Sequence, residues 1–583
     1  MGRPGYLLGS LPNVLDLRLR RANAWLFRGA SSEGERRARA LLIGLGAAAA
    51  LAFVLGVVAG SGAGEGAKRA AARFATAWSR GDYPAMYALL SPAAARGIPP
   101  ADFARAYRDA EATATLASLT PGRPVAVRGG AVQIAVTVRT RAFGVLRSTL
   151  SVPVKGDRVA WGPQLLFPGL RPGERLSARR SAPPRAALLA RDGTPLARSG
   201  SGTTAPGPVA AEVAGRLGPA LPEARAARRA AGFPEATPVG LTGLERVFES
   251  RLAGRPGGEL LAGARVLTRA RPRAAAALRT AIDPALERAA IASLAGRFGG
   301  AAAIDPRTGE VLALAGVAYS GLQPPGSTFK IITATAALEA HAVGLGTTFP
   351  IRTAAVIEGH TLQNANGESC GGTFLNAFAV SCNSVFAPLG ARVGARRLVA
   401  SAERFGFNRP ADIPGAATST IPPGSLGDDL AVGSSAIGQG RVQATALQMA
   451  TVAAAIGEGG RRPRATLEAR PAPAFDRATT TATAAQVGRL MRAVVTRGTG
   501  TSAAIPGVAV AGKTGTAELK DTNRPSTGTT ATSSASNTDA WFVAYAPAGR
   551  PRVAVGVLLV KAGAGGATAA PVARVLLLAG LRR

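Results

Sequence analysis

Lysine is scarce in this chain. Of 69 basic residues among 583, six are lysines (Lys68, Lys155, Lys330, Lys513, Lys520 and Lys561), and arginine supplies the rest. Arginine keeps its proton near neutral pH and cannot act as a base, so a lysine retained in this background is a candidate for chemistry. His341 and His360 are the only histidines; neither lies beside a nucleophile motif, which argues against a Ser-His-Asp triad. Two histidines and two cysteines, Cys370 and Cys382, make a zinc site equally unpromising, and neither metal nor cofactor is expected. Aromatic residues are 5% of the chain, and its net charge of +35 comes from dispersed arginines with no nucleic-acid motif. Nucleic acid is therefore not the expected partner; attraction to an anionic envelope surface is a weaker reading, and the charge reads mainly as a genomic preference for arginine and alanine.

The length exceeds what one hydrophobic core supports, so several domains are expected. Residues 41–60, LLIGLGAAAALAFVLGVVAG, form an uncharged run long enough to cross a bilayer. Arg36, Arg37 and Arg39 precede it within a segment, residues 1–40, that holds eight arginines and three acids. The positive-inside rule then predicts a cytoplasmic basic tail, a single-pass anchor in the cell membrane, and an extracytoplasmic remainder. The long preceding segment favours an uncleaved anchor over a signal peptide. In an oxidising space Cys370 and Cys382 become a candidate disulfide across a short loop.

After a Gly/Ala linker, residues 68–110 show helical periodicity (Phe74 and Trp78, then Tyr83, Met86 and Leu90, then Phe103 and Tyr107), and residues 123–167 switch to strand alternation, as in Val132, Ile134, Val136 and Val138. Helices followed by a meander predict an α+β module over 66–170. Residues 171–285, rich in Arg, Ala, Pro and Gly, read as an irregular linking domain with a hairpin at Asp192-Gly193 and a helix opening at Gly243-Leu244-Glu245. From about Thr280 to the end the pattern is clearer. A helix from Pro284, two strands around Pro306-Arg307-Thr308-Gly309, mainly helix over 376–456, strands over 506–519 and 540–560, and a polar loop from Asp521 to Asn537 are expected.

Within that last region Pro325-Gly326 opens onto Ser327-Thr328-Phe329-Lys330, followed by a breaker-free apolar stretch that predicts a helix from about Ser327 to Glu339. Positions i and i+3 share a helix face, so Lys330 is placed to serve as base for a Ser327 nucleophile. The helix N-terminus disfavours an ammonium and favours a developing oxyanion. Ser381-Cys382-Asn383 and Lys513-Thr514-Gly515-Thr516 follow in order. Singly each string is weak, a cap, a turn or an exposed strand end; together, and using two of six lysines, they are specific.

On these motifs the chain resembles the class B, monofunctional penicillin-binding proteins, which are peptidoglycan D,D-transpeptidases. Gly243-Leu244-Glu245, Asp305-Pro306-Arg307-Thr308-Gly309, Gly438-Gln439-Gly440 and Asp539-Ala540-Trp541-Phe542 add to the likeness. Residues 66–170 are similar to the NTF2-like domain of the methicillin-resistance penicillin-binding protein. The resemblance implies a multi-domain α+β protein: an anchor, an NTF2-like domain, a pedestal over 171–285, and a serine β-lactamase-like transpeptidase domain over 286–583 with a central antiparallel sheet flanked by helices. It implies that Ser327 is acylated by a stem peptide ending in D-Ala-D-Ala, or by penicillin and other β-lactams. Lys330 would take its proton, Ser381 would pass a proton to the leaving amine, and Asn383 would hold the substrate amide and orient Lys330. Lys513 would shape the local charge, while Thr514 and Thr516, flanking Gly515, would receive the substrate carboxylate. The backbone N–H groups of Ser327 and Thr516 would form the oxyanion hole. A separate glycan polymerase is the expected partner.

A serine β-lactamase shares much of this pattern but requires a deacylating base, for which no signature is seen. A D,D-carboxypeptidase differs in passing the acyl group to water. A non-catalytic β-lactam-binding scaffold is the reading from a different class, and the complete motif set weighs against it.

Overall fold

The structure, a computed structural model, describes residues 64–128, 130–200, 204–470, 472–519 and 537–583. The expected membrane run over 41–60 and most of the polar loop, residues 520–536, lie outside the described residues. Among the described residues no helix is long and apolar enough to cross a membrane. The described residues divide into two compact units, one made of those up to residue 178 with 260–268, the other of those in 179–259 with those from 269 on.

In the first unit, helices α1 (64–79), α2 (Tyr83–Ala88), α3 (Pro92–Arg96) and α4 (Pro100–Ala114) precede an antiparallel meander of β1 (Leu116–Arg128), β2 (Ala131–Thr140), β3 (Val145–Lys155) and β4 (Arg158–Val159), paired in chain order. Asp82 and Ser91 cap α2 and α3 by accepting backbone N–H bonds from Ala85 and Ala94. The period-2 set of β2, Val132, Ile134, Val136 and Val138, is buried with Phe74, Trp78, Phe103 and Tyr107 in one core. Polar ends of the buried aromatics are paired: the Tyr107 hydroxyl donates to Leu165 O at 3.0 Å and accepts from Trp161 Nε1 at 3.0 Å.

The second unit begins with short strands and helices. The Asp192-Gly193 turn joins Leu188–Leu189 to Pro195–Ala197 in an antiparallel pair, as expected. A larger portion built on a five-stranded sheet then follows. Helix α5 (Pro284–Leu294) is capped by Asp283, which accepts N–H bonds from Ala285 and Leu286. Strands β5 (Gly299–Ile304) and β6 (Val311–Gly316) form the predicted hairpin, and α6 (Lys330–Glu339) carries the lysine of the first motif. Next come β7 (Ala354–Ile357), β8 (His360–Gln363), β9 (Cys370–Thr373), α7 (Phe374–Ala379) and α8 (Asn383–Val393). Helices α9 (Ala446–Gly457) and α10 (Thr481–Arg497) are followed by β10 (Ala511–Glu518), β11 (Thr538–Ala546), β12 (Val553–Leu559) and α11 (Gly565–Leu581).

The five-stranded sheet has the order β6-β5-β12-β11-β10, antiparallel throughout. Helices cover both faces, which is why β5, β11 and β12 are buried at every position instead of alternating. Successive residues divide between two cores: Trp541, Val543 and Tyr545 pack with α9 and α6, whereas Ala540, Phe542 and Ala544 pack with α5 and α11. The expected helical stretch over 376–456 is interrupted between Arg404 and Asp429, where Pro410, Pro414, Pro422 and Pro423 and the left-handed Gly406 stop helix propagation.

Candidate active site

The nucleophile turn starts as a 3-10 turn, Gly326–Phe329, and becomes α-helical at Lys330. Gly326 has φ +52, and a Cβ there would lie 2.9 Å from Thr516 O, so the turn can approach strand β10 this closely only with glycine. Its N–H donates to Gly438 O at 3.0 Å, which gives the Gly438-Gln439-Gly440 motif a place behind the nucleophile. Ser327 is half-buried at the mouth of the cleft, while Lys330 is wholly buried one turn below.

The three motifs meet around Ser381, the residue between α7 and α8. Lys330 Nζ donates to Ser381 O at 2.7 Å, to Asn383 Oδ1 at 2.7 Å and to Ser381 Oγ at 3.3 Å. Lys513 Nζ donates to Ser381 Oγ at 2.8 Å and to Thr514 O at 3.0 Å. Ser381 Oγ therefore bridges two buried amines. Among the described residues no carboxylate pairs with either amine, and no hydrogen bond joins Lys330 Nζ to Ser327 Oγ. Such contacts commonly tighten only when substrate arrives. Ser381 has φ +66, an unfavourable conformation for a non-glycine residue, held here by N–H bonds from Ser381 to Phe378 O and from Cys382 to Ala377 O.

Electrostatics follow from this packing. Burial pushes the Lys330 amine well below its ordinary pKa of 10.5, and the Lys513 charge pushes it further. Burial brings Lys513 down to about 7. Aromatic rings form part of the surroundings: Lys330 Nζ lies 5.4 Å from the Phe386 centroid and Lys513 Nζ lies 5.6 Å from that of Phe378.

Strand β10 is an edge strand lying against the nucleophile turn. A Cβ on Gly515 would come within 2.7 Å of Pro325 O and 3.0 Å of the Thr328 methyl, so the glycine of the third motif is a packing requirement. Lys513 and Gly515 face α6, whereas Thr514 and Thr516 face the start of α11. Thr516 Oγ1 accepts from Gly565 N–H at 3.3 Å, and Thr514 Oγ1 lies 2.5 Å from Thr499 Oγ1. The fold thus gathers Lys330, Ser381, Asn383 and Lys513 into one hydrogen-bonded cluster, with Ser327 one turn before Lys330 and Thr514, Gly515 and Thr516 on the strand that carries Lys513.

Several supports were not visible in the motifs. Asn383 Nδ2 donates to Gln363 O at 2.8 Å, and Asn364 Oδ1 accepts from Ser384 N–H at 2.8 Å, so the end of the β7–β8 hairpin braces the second motif. The candidate pair from the sequence, Cys370 and Cys382, is joined by a disulfide with Cα atoms 5.8 Å apart, tying β9 to the same loop. Thr499 was missed as well, although its flanking glycines in Gly498-Thr499-Gly500 mark a tight loop.

Residues 299–578 match the model of the penicillin binding protein transpeptidase domain. The chain is 38% identical over 291 residues to the peptidoglycan D,D-transpeptidase PbpA of Mycolicibacterium smegmatis, covering 46% of this chain and 56% of that protein. It is 37% identical over 296 residues to PbpA of Mycobacterium tuberculosis, again with 46% and 56% coverage. The chain thus spans about half the length of these relatives. Among solved structures, the transpeptidase domain from Eggerthella lenta aligns with TM-score 0.55 at 28% identity, over 69% of this chain and 99% of that one. The penicillin G acyl-enzyme complex of M. tuberculosis penicillin-binding protein A aligns with TM-score 0.54 at 26% identity, over 68% and 99%.

Proposed function

We propose that the protein is a class B peptidoglycan D,D-transpeptidase working through an acyl-enzyme on Ser327, and that penicillin and other β-lactams acylate the same oxygen. The observation that carries this reading is the pair of buried amines bridged by Ser381 Oγ beside Ser327. A neutral Lys330 accepts the Ser327 proton as Oγ bonds to the carbonyl carbon between the two D-alanines of a stem peptide. The carbonyl oxygen takes up negative charge against the N–H groups of Ser327 and Thr516. Ser381 hands a proton from the lysine pair to the departing D-alanine amine as the C–N bond breaks. An amine of a neighbouring stem then attacks the ester, returns its proton along the same path, and forms the cross-link. Thr514 and Thr516 hold the substrate carboxylate. A β-lactamase would need a base to deacylate the ester, for which the sequence carries no signature.

The helices and meander of residues 64–159 support an NTF2-like domain, the run over 41–60 supports a single-pass membrane anchor with the catalytic domain outside, and glycan polymerisation would fall to a separate partner.

Intact mass spectrometry of the full chain mixed with benzylpenicillin tests the reading. One drug mass should add to the wild type, persist, and fail to add to Ser327→Ala. An adduct retained by that variant, or rapid loss with drug hydrolysis, would contradict it.

A further inference from the structure

Thr499 lies in the loop after α10, outside the three motifs. Its N–H donates to Ala379 O at 3.1 Å, two residues before Ser381, and its carbonyl oxygen is so close to α11 that a Cβ on Gly566 would lie 2.3 Å from it. The backbone is therefore fixed from two sides. The side chain is exposed, and its Oγ1 stands 2.5 Å from Oγ1 of the buried Thr514. Oγ1 of Thr499 is also 3.5 Å from Ala379 O, a long and weak alternative acceptor.

A hydroxyl has one proton and two lone pairs, and an ionised carboxylate can only accept. When a carboxylate reaches Thr514, the Thr514 proton must point at it. The short contact can then survive only if Thr499 is the donor and Thr514 the acceptor. From this geometry we infer that Thr499 is a positioning residue for carboxylate recognition, donating its hydroxyl proton to Thr514 Oγ1 and turning the Thr514 proton towards the substrate carboxylate. Resting on the acyl-enzyme reading above, the inference makes Thr499 act through Thr514, in a two-bond relay whose first member strengthens the second.

A double-mutant cycle on the full chain tests it, with the second-order constant for acylation by benzylpenicillin as readout. Thr499→Val should slow acylation by about three- to tenfold, the range of one net hydrogen bond, and should cost nothing further in a Thr514→Val background. Thr499→Ser, which keeps the hydroxyl, should recover most of the rate. The same cost in both backgrounds, or no cost in either, would overturn the inference while leaving the acyl-enzyme intact. Failure of Thr499→Ser to recover the rate would also overturn it, since the loop rather than the hydroxyl would then matter. Absence of a Ser327 adduct on the wild type would instead remove the functional reading on which the inference stands, and the inference with it.

Discussion

The second unit buries positive charge in two contrasting ways. In the region before the catalytic-type domain, Arg185 is almost fully buried and is met by carboxylates: Nε donates to Glu245 Oε2 at 2.7 Å and Nη2 to Glu249 Oε2 at 2.8 Å, while Arg228 pairs with Glu249 Oε1 at 2.7 Å. In the cleft, Lys330 and Lys513 are equally buried and are met by a hydroxyl, an amide oxygen and carbonyls. Arginine cannot shed its proton, so its burial demands counter-charge. A lysine without a carboxylate escapes the cost of burial by becoming neutral, and a neutral amine is a base. The same physical expense thus gives a structural fixture in one place and a reactive group in the other. The Gly243-Leu244-Glu245 motif belongs to the first kind and the serine-lysine motifs to the second.

The comparison can be broken most severely at Lys330. Exchanging it for arginine preserves the charge and removes the base, so Lys330→Arg should slow acylation by about 10²- to 10⁴-fold, measured by the rate of benzylpenicillin adduct formation, with thermal unfolding confirming the fold. A comparable energetic effect of the other kind is expected at Glu245. Removing one partner of a buried ion pair should destabilise by about 3–5 kcal/mol, so Glu245→Ala should lower the denaturant midpoint sharply while the fraction that stays folded acylates at the ordinary rate.

A pH-dependent effect on stability is expected at Glu287. Glu287 is buried, accepts Leu314 N–H at 2.6 Å, and has its carboxyl raised from 4.5 to about 8 by desolvation. Its folded pKa exceeds its unfolded one, so its contribution is full below about pH 4.5 and declines as pH rises towards 8. Depressed lysines have the opposite sign: at Lys513 the contribution is full above 10.5 and declines as pH falls towards about 7. Denaturation midpoints measured between pH 5 and 8 should show the declining part flattened by Glu287→Gln; an unchanged slope in that variant would place the pH dependence elsewhere.

Much of this was legible in the chain itself, for definite reasons. Lysine scarcity singled out Lys330 and Lys513, motif order joined them to Ser381, and period-2 alternation found β2. The helix carrying Lys330 ends at Glu339, where the apolar run stops. What the sequence could not carry was contact through space. That Ser381 takes a left-handed conformation, that Gln363 and Asn364 brace the loop, and that Thr499 reaches Thr514 all depend on segments distant in the chain. Likewise, that among the described residues no carboxylate pairs with the two amines has no sequence signature, because only folding decides which acidic residues approach. The break between Arg404 and Asp429 was readable from its prolines but was outweighed by the helical pattern on either side.

The most direct test of the central claim is the pH dependence of the second-order acylation constant of the wild type. A rate that rises through a pKa well below the ordinary amine value of 10.5, and is level above it, is the result predicted for a base neutralised by burial beside a second lysine. A rate still climbing through 10.5 would mean that Lys330 titrates as an ordinary amine, and would contradict the account.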